Sequence, residues 1–357
     1  MTRPLHIHGT FLPEDEPRDL WIVDGVLTDE PAANAETLAR NAFVVPGYVD
    51  AHCHIGVGAQ GPVDDETIRR QALQDLGGGT MLIRDAGSHA DTRWVQGDET
   101  LPRLIRAGQH IARPKRYVRY LGVEVEPEQL VEQARHEARA GDGWVKLVGD
   151  WINRSAGDLA PLWPADIAAA AIAAVHDEGA RVTAHCFGEQ SVHELVAVGI
   201  DCIEHGTGLS DDGIDEMVRR GTALVPTMIN LERFPQYAGP AQEKFPTYYA
   251  HMMDLYARRK ETIGKAVEAG VQVYAGTDAG TVIEHGRIRD EIDALAEVGG
   301  SVFAIGAASW RSRAWLGADA LLPGASADLI VLDADPRVSL ETIRSPRALV
   351  LRGRVIS

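Results

Sequence analysis

The sequence has little of three things: cysteine, basic side chains and long apolar runs. Its 357 residues include three cysteines, too few for a disulfide framework in a chain of this length. The 35 lysines and arginines are outnumbered by 52 acidic residues, and the net charge of −17 argues against nucleic acid or an anionic membrane as a partner. No run approaches the roughly 20 apolar residues that span a bilayer, and the first residues lack an apolar signal segment. We therefore expect a cytoplasmic protein that binds neither nucleic acid nor a membrane.

Strand-like segments lie at both ends of the chain. They are His6 to Leu12, Leu20 to Leu27, Ala327 to Asp333 and Ala348 to Ile356. These segments flank a middle region of different character. We therefore expect residues 1–42 and 318–357 to form one small β-sandwich domain from the two termini.

The middle region alternates strand-like apolar runs with helical segments, which is typical of parallel βα units. Eight such runs can be counted, at residues 43–54, 80–85, 117–125, 144–148, 181–186, 201–205, 223–227 and 271–278. Eight is the strand number of the closed α/β barrel, which occupies about 250 residues. We therefore predict an α/β fold in which residues 43–317 form a (β/α)8 TIM barrel.

One connection departs from this alternation. The stretch from Met228 to about Tyr256 is rich in aromatic residues and proline. It is either an ordinary long connection with a helix or a lid or wall over a substrate at the seventh strand. The sequence leaves both interpretations open.

Histidines and one aspartate end several of the predicted strands. His52 and His54 share a face at the end of the first strand, because successive strand residues point to opposite faces. His185, His205 and Asp278 close the fifth, sixth and eighth strands. In a (β/α)8 barrel the carboxyl ends of the strands meet at one rim, so these side chains should converge. Imidazoles with a carboxylate are typical metal ligands, and the sequence therefore predicts a metal site.

Lys146 lies inside an apolar strand, where an ammonium group is costly unless it is paired or chemically changed. One interpretation is that its side chain reaches the barrel mouth or pairs with Asp150. The other is that its amine takes up carbon dioxide to become a carbamate, an anionic ligand able to bridge two metal ions. Physical chemistry alone does not choose between them.

Short motifs, in order along the chain, carry a resemblance to a known family. They are His52-Cys53-His54, Arg84-Asp85-Ala86-Gly87, Trp144-Val145-Lys146, Ala184-His185, Ile203-Glu204-His205-Gly206-Thr207, Gly276-Thr277-Asp278-Ala279-Gly280 and Gly324-Ala325-Ser326-Ala327-Asp328. With these motifs the sequence resembles the amidohydrolase superfamily, and within it the imidazolonepropionase-like and Xaa-Pro dipeptidase-like branch. The resemblance covers nearly the whole chain.

The resemblance implies a centre of two divalent metal ions. Zinc suits such an imidazole-rich site best, with manganese, iron or cobalt as alternatives. The more buried ion would be held by His52 and His54, and the more exposed ion by His185 and His205. Carboxylated Lys146 would bridge the two ions.

The resemblance also assigns catalytic roles. Asp278 would bind the buried ion and transfer protons, and His205 would hold the ion that polarises the substrate. The implied activity is that of a binuclear metal-dependent amidohydrolase, which cuts an amide, cyclic amide or dipeptide-like C–N bond by attack of a metal-bound hydroxide. The alternatives are a lactonase or aminohydrolase (deaminase) with the same metal centre, or a non-catalytic assembly protein that kept the barrel.

Residues that bind the small-molecule substrate are harder to predict, because specificity lies in the loops after the strands. A substrate carboxylate would need a cationic partner, and Arg154, Arg233 and Arg287 follow the fourth, seventh and eighth strands. His285 also follows the last strand, where it matches the branch pattern and is a candidate to touch the substrate. Each arginine has the alternative of being a solvated surface residue. Self-association into a homo-oligomer is left open.

Overall fold

The computed structural model of the protein describes residues 3–118, 120–318 and 320–356. Residues 1, 2 and 357 and Asp319 of the predicted terminal domain, and Arg119 of the predicted third strand, lie outside this description. The described residues form an α/β fold with mixed sheets. Their strands pair in sheets of seven, six and three strands and in two short antiparallel pairs.

The strands are short and lie along the whole chain. In chain order they are β1 (Leu5–Phe11), β2 (Glu16–Val23), β3 (Val26–Thr28), β4 (Glu36–Pro46), β5 (Tyr48–Cys53), β6 (Val57–Gly58), β7 (Gly61–Pro62), β8 (Thr80–Asp85), β9 (Arg103–Arg106), β10 (His110–Ala112), β11 (Gly122–Glu124), β12 (Trp144–Val148), β13 (Asp150–Asn153), β14 (Asp158–Pro161), β15 (Arg181–Cys186), β16 (Cys202–His205), β17 (Ala223–Val225), β18 (Leu329–Leu332), β19 (Ala348–Leu351) and β20 (Arg354–Val355).

The helices lie between β7 and β18. They are α1 (Asp65–Gly77), α2 (Arg93–Gln96), α3 (Leu130–Ala140), α4 (Ala165–Asp177), α5 (Glu189–Ala197), α6 (Asp211–Arg220), α7 (Met228–Leu231), α8 (Phe234–Ala238), α9 (Pro246–Glu268), α10 (Ile288–Gly299), α11 (Ser301–Ala308) and α12 (Trp310–Trp315). Short 3₁₀ turns cover Pro127–Gln129, Gly239–Ala241 and Leu340–Arg344. In the described part of the chain, no helix combines the length and the apolar character that a membrane crossing requires.

The ends of α6 show how the local sequence forms a helix. The Ser210 side chain accepts a hydrogen bond from the Gly213 N–H, which satisfies a donor that the first turn leaves unpaired. Gly221 ends the helix with φ +73°, a left-handed conformation that favours glycine. The local sequence therefore determines both boundaries.

Strands from both termini pair in one seven-stranded sheet, in the order β20-β19-β18-β4-β1-β2-β3. β1 runs parallel to β4 and antiparallel to β2, and β4 runs antiparallel to β18. Apolar side chains from both chain ends share one buried cluster, with Phe11 and Val44 beside Leu329 and Val350. The sheet reaches Pro46, beyond the boundary predicted at residue 42.

The parallel strands pair in the orders β5-β8-β9 and β11-β10-β12-β15-β16-β17. One parallel bridge joins Leu224 of β17 to Val273, and another joins Cys53 of β5 to Ala279. Parallel pairing therefore passes from β17 through the segment 271–279 to β5. This arrangement brings the carboxyl ends of β5, β15, β16 and the segment 271–279 together.

The third parallel strand differs from the prediction. β9 pairs with β8 and β10 pairs with β12, whereas the predicted run 117–125 contributes only the outer strand β11. The stretch 103–112 is too polar to resemble a buried strand, but distant acidic side chains satisfy its arginines. Arg103 donates to Asp328 at 3.1 Å, and Arg106 to Asp142 at 2.8 Å.

Candidate metal centre and active-site cavity

Four histidines and one aspartate meet where the parallel strands end. His52 and His54 lie at the end of β5, His185 on β15, His205 at the end of β16, and Asp278 in the segment that joins β17 to β5. All four imidazoles are buried. The structure thus brings together the five side chains whose convergence the sequence predicts.

Three ligand-type atoms form a small triangle in this cluster. Nε2 of His52 and Nε2 of His54 lie 3.3 Å apart, and Oδ1 of Asp278 lies 3.2 and 3.1 Å from them. Two ligands about 2.0 Å from a tetrahedral zinc ion would be separated by about 3.3 Å. The spacing of the three atoms therefore fits a shared metal ion.

The orientation of the His54 ring agrees with this fit. Its Nδ1 lies 3.0 Å from the carbonyl oxygen of Gly87, and because a carbonyl only accepts, Nδ1 must carry the proton. In the neutral ring Nε2 then presents its lone pair to His52 and Asp278. A metal-ligating histidine is commonly oriented in this way by a hydrogen bond at its other nitrogen.

His185 and His205 form a second pair beside the first. Their ring centroids are 4.7 Å apart, and the His205 ring is 5.3 Å from that of His52. Nε2 of both residues is buried without a hydrogen-bond partner among the described residues, whereas Nδ1 of His205 is 2.7 Å from the Thr227 hydroxyl. Buried polar atoms are rarely left unpaired, so these two nitrogens fit a second metal ion.

Burial keeps this second pair in the form that binds metals. Desolvation, assisted by the positive charge of Lys146, lowers the pKa of His185 to about 3. The imidazole is therefore neutral at physiological pH. A neutral ring offers a lone pair to a metal ion, and a protonated ring does not.

Lys146 is fully buried on β12, and burial lowers its pKa to about 7. It forms an ion pair with Glu204, which also accepts a hydrogen bond from Thr183 at 2.8 Å. The sequence left open that Lys146 reaches the barrel mouth or pairs with Asp150. The structure shows neither, because Lys146 is buried and its ion-pair partner is Glu204. Asp150 instead accepts the N–H of Gly188 at 2.8 Å, next to the start of α5.

Three residues around the cluster have strained backbones. His205, Thr227 and Asp278 have φ of +67°, +50° and +58°, in the left-handed region that residues with a side chain rarely adopt. Such conformations cost energy and are concentrated at functional sites. Their occurrence at the end of β16, just after β17 and in the segment 271–279 supports a functional role for this rim.

The second carboxylate oxygen of Asp278 is held by a residue that the sequence did not reveal. Asn230 on α7 donates from Nδ2 to Oδ2 of Asp278 at 2.8 Å. Tyr237 on α8 in turn donates from its hydroxyl to Oδ1 of Asn230. Both residues belong to the stretch 228–256, so this connection contributes to the site.

A cavity of about 360 Å³ opens onto the cluster at His54, His185 and Asp278. A volume of this size is typical of small-molecule sites. Five aromatic side chains contribute to its wall, namely Tyr117, Trp151, Phe187, Tyr237 and Tyr248. Two of them come from the stretch 228–256, which agrees with the interpretation of that stretch as a substrate wall.

His110 is a second residue that the sequence did not reveal. It lies on β10, is almost completely buried and lines the cavity. Its ring stacks on that of His54, with centroids 4.8 Å apart. Neither of its ring nitrogens has a hydrogen-bond partner among the described residues. Since β10 lies outside every strand that the sequence predicted, no strand-end signal could have found this residue.

The four residues predicted to bind substrate lie outside the lining of this cavity. Arg154 is exposed, Arg233 is half-buried on the chain between α7 and α8, and Arg287 forms an ion pair with Asp290 on α10. His285 donates from Nδ1 to Asp75 of α1 at 2.8 Å. The described geometry thus assigns His285 to the packing of a loop against α1.

Comparison with known proteins places the chain among hydrolases. The family model described as "Amidohydrolase family" matches residues 43–356. A protein of Mycobacterium tuberculosis (strain ATCC 25618 / H37Rv), described as uncharacterized, is 53% identical over 352 residues, which are 98% of this chain and 95% of that protein.

Solved structures of related fold cover almost the whole chain. A Xaa-Pro dipeptidase with methionine bound in its active site has a TM-score of 0.82 and 22% identity, covering 99% of this chain and 100% of that one. A putative prolidase from Bifidobacterium longum has the same TM-score and identity, with 99% and 94% covered. The shared fold matches the branch that the sequence resembles.

Proposed function

The chain belongs to the amidohydrolase family and is a hydrolase, and we propose that it cuts an amide, cyclic amide or dipeptide-like C–N bond with two bound divalent metal ions. The observation that carries this proposal is the triangle of His52 Nε2, His54 Nε2 and Asp278 Oδ1, with edges of 3.1 to 3.3 Å. Hydrogen bonding alone does not account for it, because the two imidazole nitrogens face each other and the same carboxylate oxygen. A divalent cation at this point would satisfy all three atoms.

We assign one ion to His52, His54 and Asp278, and the other to His185 and His205. Carboxylated Lys146 is the proposed bridge. Carboxylation would convert the Lys146 ammonium into an anionic carbamate and would end its ion pair with Glu204, but the carbamate nitrogen would keep one N–H able to donate to that carboxylate. Zinc is the preferred metal for such a set of imidazoles and carboxylates.

When bound, the metal ions supply a water nucleophile of lowered pKa and a Lewis acid that polarises the substrate carbonyl. The Asp278 side chain lines the cavity, so a substrate bound there would lie next to its carboxylate. It takes the proton of the attacking water and delivers it to the departing nitrogen. Asn230 keeps the carboxylate oriented for this transfer, and Thr227 fixes the ring of His205.

We further propose that the parallel segments close into one (β/α)8 barrel over residues 43–317. The bridges of the segment 271–279 to both β17 and β5 support closure. The terminal strands are proposed to form a small β-sandwich domain from residues 1–42 and 318–357, with β4 crossing its border. The apolar cluster shared by β1, β4, β18 and β19 supports a sheet that curves around its own core.

A hydrolysis screen tests the proposed activity. The metal-loaded enzyme is offered N-acyl amino acids, Xaa-Pro dipeptides, cyclic amides, lactones and aminopurines, and the released acid, amine or ammonia is measured. We expect turnover of at least one C–N substrate class, its loss on chelation and its return with added zinc. Asp278→Asn should lower kcat by about 100-fold or more while the circular dichroism spectrum is kept.

Asp177→Asn on the exposed end of α4 is the matched control, and it should retain wild-type kcat. Turnover of lactones alone would contradict C–N hydrolysis. Near-normal kcat in Asp278→Asn would remove the proton-transfer role of that residue.

A further inference from the structure

The cavity beside the metal-ligand cluster has an aromatic wall. Tyr117 and Trp151 meet edge to face, with ring centroids 4.9 Å apart. Both rings lie close to His185, at 5.8 and 5.4 Å, and Phe187 lies at 4.3 Å from it. Aromatic rings attract one another at such centroid distances in offset or edge-to-face geometry. The wall therefore offers a flat apolar group a binding surface next to a proposed metal ligand.

His110 adds a polar point to this apolar wall. The ring is fixed by its stack on His54 and lies 5.8 Å from Tyr117. A neutral imidazole has one N–H donor and one acceptor, and both nitrogens of His110 are buried without a partner among the described residues. Leaving such atoms unpaired is costly, so a ligand atom in the cavity is the natural partner for one of them.

The charges around the cavity select against an anionic group at this wall. Among the described residues that line it, none is lysine or arginine, and the carboxylate is Asp278, already assigned to the metal centre. A substrate carboxylate against Tyr117 and Trp151 would lose its water without gaining a lysine or arginine partner among the described lining residues. An uncharged ring would bury apolar surface there without that cost.

We propose that the cavity binds an uncharged aromatic ring of the substrate against Tyr117 and Trp151, with His110 hydrogen-bonded to a polar atom on that ring. This inference rests on the proposed hydrolase function and narrows its substrates to uncharged aryl or heteroaryl amides. Hydrolysis adds one water across the C–N bond, so that the acyl carbon gains the hydroxyl and the nitrogen gains the proton. The products are a carboxylic acid and an amine, one of which carries the ring.

Three matched compounds test the ring and its charge. They are N-phenylacetamide, N-(pyridin-3-yl)acetamide and N-(4-carboxyphenyl)acetamide, and their binding to the metal-loaded full chain is measured by titration calorimetry. Both uncharged compounds should bind at least about ten-fold more tightly than the carboxylate. Trp151→Ala should weaken both about three- to ten-fold, whereas Trp310→Ala on α12, outside the cavity, should not.

A pair of His110 variants tests the hydrogen bond. His110→Phe keeps an aromatic ring on His54 and removes the ring nitrogens, so the pyridyl compound should lose about ten-fold in affinity. The phenyl compound should change by less than about two-fold, because it makes no such bond. His110→Gln should restore part of the pyridyl affinity. A merely structural role of His110 would instead weaken both compounds equally.

Some results would overturn the proposal. They are equal or tighter binding of the carboxylate, no binding of either uncharged compound, or equal losses of both uncharged compounds in His110→Phe. Tighter binding of the carboxylate compound that disappears in Arg119→Gln would also overturn the proposal. It would assign binding of the carboxylate to Arg119, which lies outside the described residues.

Hydrolysis of the same compounds separates this inference from the proposed function. Binding that follows the expected pattern without hydrolysis of either uncharged compound upholds the ring site and contradicts the hydrolase assignment to this substrate class. Faster hydrolysis of the carboxylate, or of Xaa-Pro dipeptides, upholds the hydrolase and overturns the ring site.

Discussion

Asp278 is held at both oxygens of its carboxylate. Oδ1 faces Nε2 of His52 and His54, and Oδ2 accepts a hydrogen bond from Asn230. Tyr237 donates to the Asn230 side chain from the other direction. For the proton transfer that we propose for Asp278, a carboxylate that is already oriented loses little freedom on the way to the transition state. Asn230 is therefore a positioning residue for Asp278.

Replacing Asn230 tests this role. Asn230→Leu keeps the approximate shape of the side chain and removes the donor to Asp278. Because a hydrogen bond to a charged group contributes about 1.5–3 kcal/mol, we expect kcat to fall about ten-fold or more, with KM within about two-fold of wild type. Steady-state kinetics with metal analysis measures this, and the metal content should not change. Gln236→Leu, exposed on α8, is the control, and an unchanged kcat in Asn230→Leu would contradict the role.

Which residues were predictable depends on how they reach the site. The strand-end histidines and Asp278 could be predicted because each follows an apolar run, and the ends of parallel strands meet at one rim. Asn230 and His110 carry no such signal. Asn230 reaches Asp278 from a position 48 residues away along the chain. His110 lies on β10, and the residues around it are too polar for that segment to be predicted as a buried strand.

At the scale of elements, α10 holds the start of α7. Glu291 on α10 accepts the N–H of Met228 and of Ile229, both at 2.9 Å. These groups belong to the first turn of α7, where a helix leaves its N–H groups unpaired. Since α7 also carries Asn230, the buried carboxyl of Glu291 helps to position the site.

The buried carboxyl of Glu291 should make stability depend on pH. Burial raises its pKa to about 8, above the value of about 4.3 in an unfolded chain. The folded state thus keeps a proton that the unfolded state releases between about pH 4 and 8, and the free energy of unfolding falls as pH rises through this window. Urea unfolding at several pH values should show that the free energy of unfolding falls less steeply with pH in Glu291→Gln than in the wild type.

Glu297→Gln on the same helix provides the control, because Glu297 is exposed and pairs with Lys260 at the surface. It should keep the wild-type pH slope. Identical slopes for wild type and Glu291→Gln would show that this carboxyl does not titrate in the window.

Elements with a clear apolar period were predictable, and the third strand was not. The predicted runs at 80–85, 144–148 and 181–186 coincide with β8, β12 and β15. β9 instead depends on Asp328, 225 residues further along the chain, to pair Arg103. A partner at that distance cannot be inferred from local composition. The ion pair with Asp328 therefore stabilises a strand that the polar local sequence does not predict.

At the scale of the whole molecule, Asp328 joins the terminal sheet to the parallel strands. Its side chain is completely buried immediately before β18. It accepts hydrogen bonds from Arg103 and from the Arg352 N–H, and lies 3.7 Å from the buried Arg313. The Asp328 carbonyl also accepts the N–H of Gly47, next to β5. Asp328 thus connects the seven-stranded sheet to β9 through its carboxylate and to the start of β5 through its backbone carbonyl.

Removing that charge should destabilise the whole protein. Asp328→Ala leaves buried Arg313 with one carboxylate fewer nearby, and breaking a buried ion pair costs about 3–5 kcal/mol. We expect the free energy of unfolding, from urea titration followed by tryptophan fluorescence, to fall by about 3 kcal/mol. Asp333→Ala at the other end of β18 removes a surface pair with Arg347 and should cost less than about 1 kcal/mol. Equal losses in the two variants would contradict the role of Asp328.

The metal content of the purified protein tests the central claim most directly. Elemental analysis after dialysis should find about two equivalents of divalent metal per chain, because the structure offers two sets of buried imidazole nitrogens, one from His52 and His54 and one from His185 and His205. Lys146→Ala should reduce this content and the activity together, since it removes the proposed bridge. One equivalent in the wild type, with Lys146→Ala equally loaded and fully active, would contradict the binuclear centre.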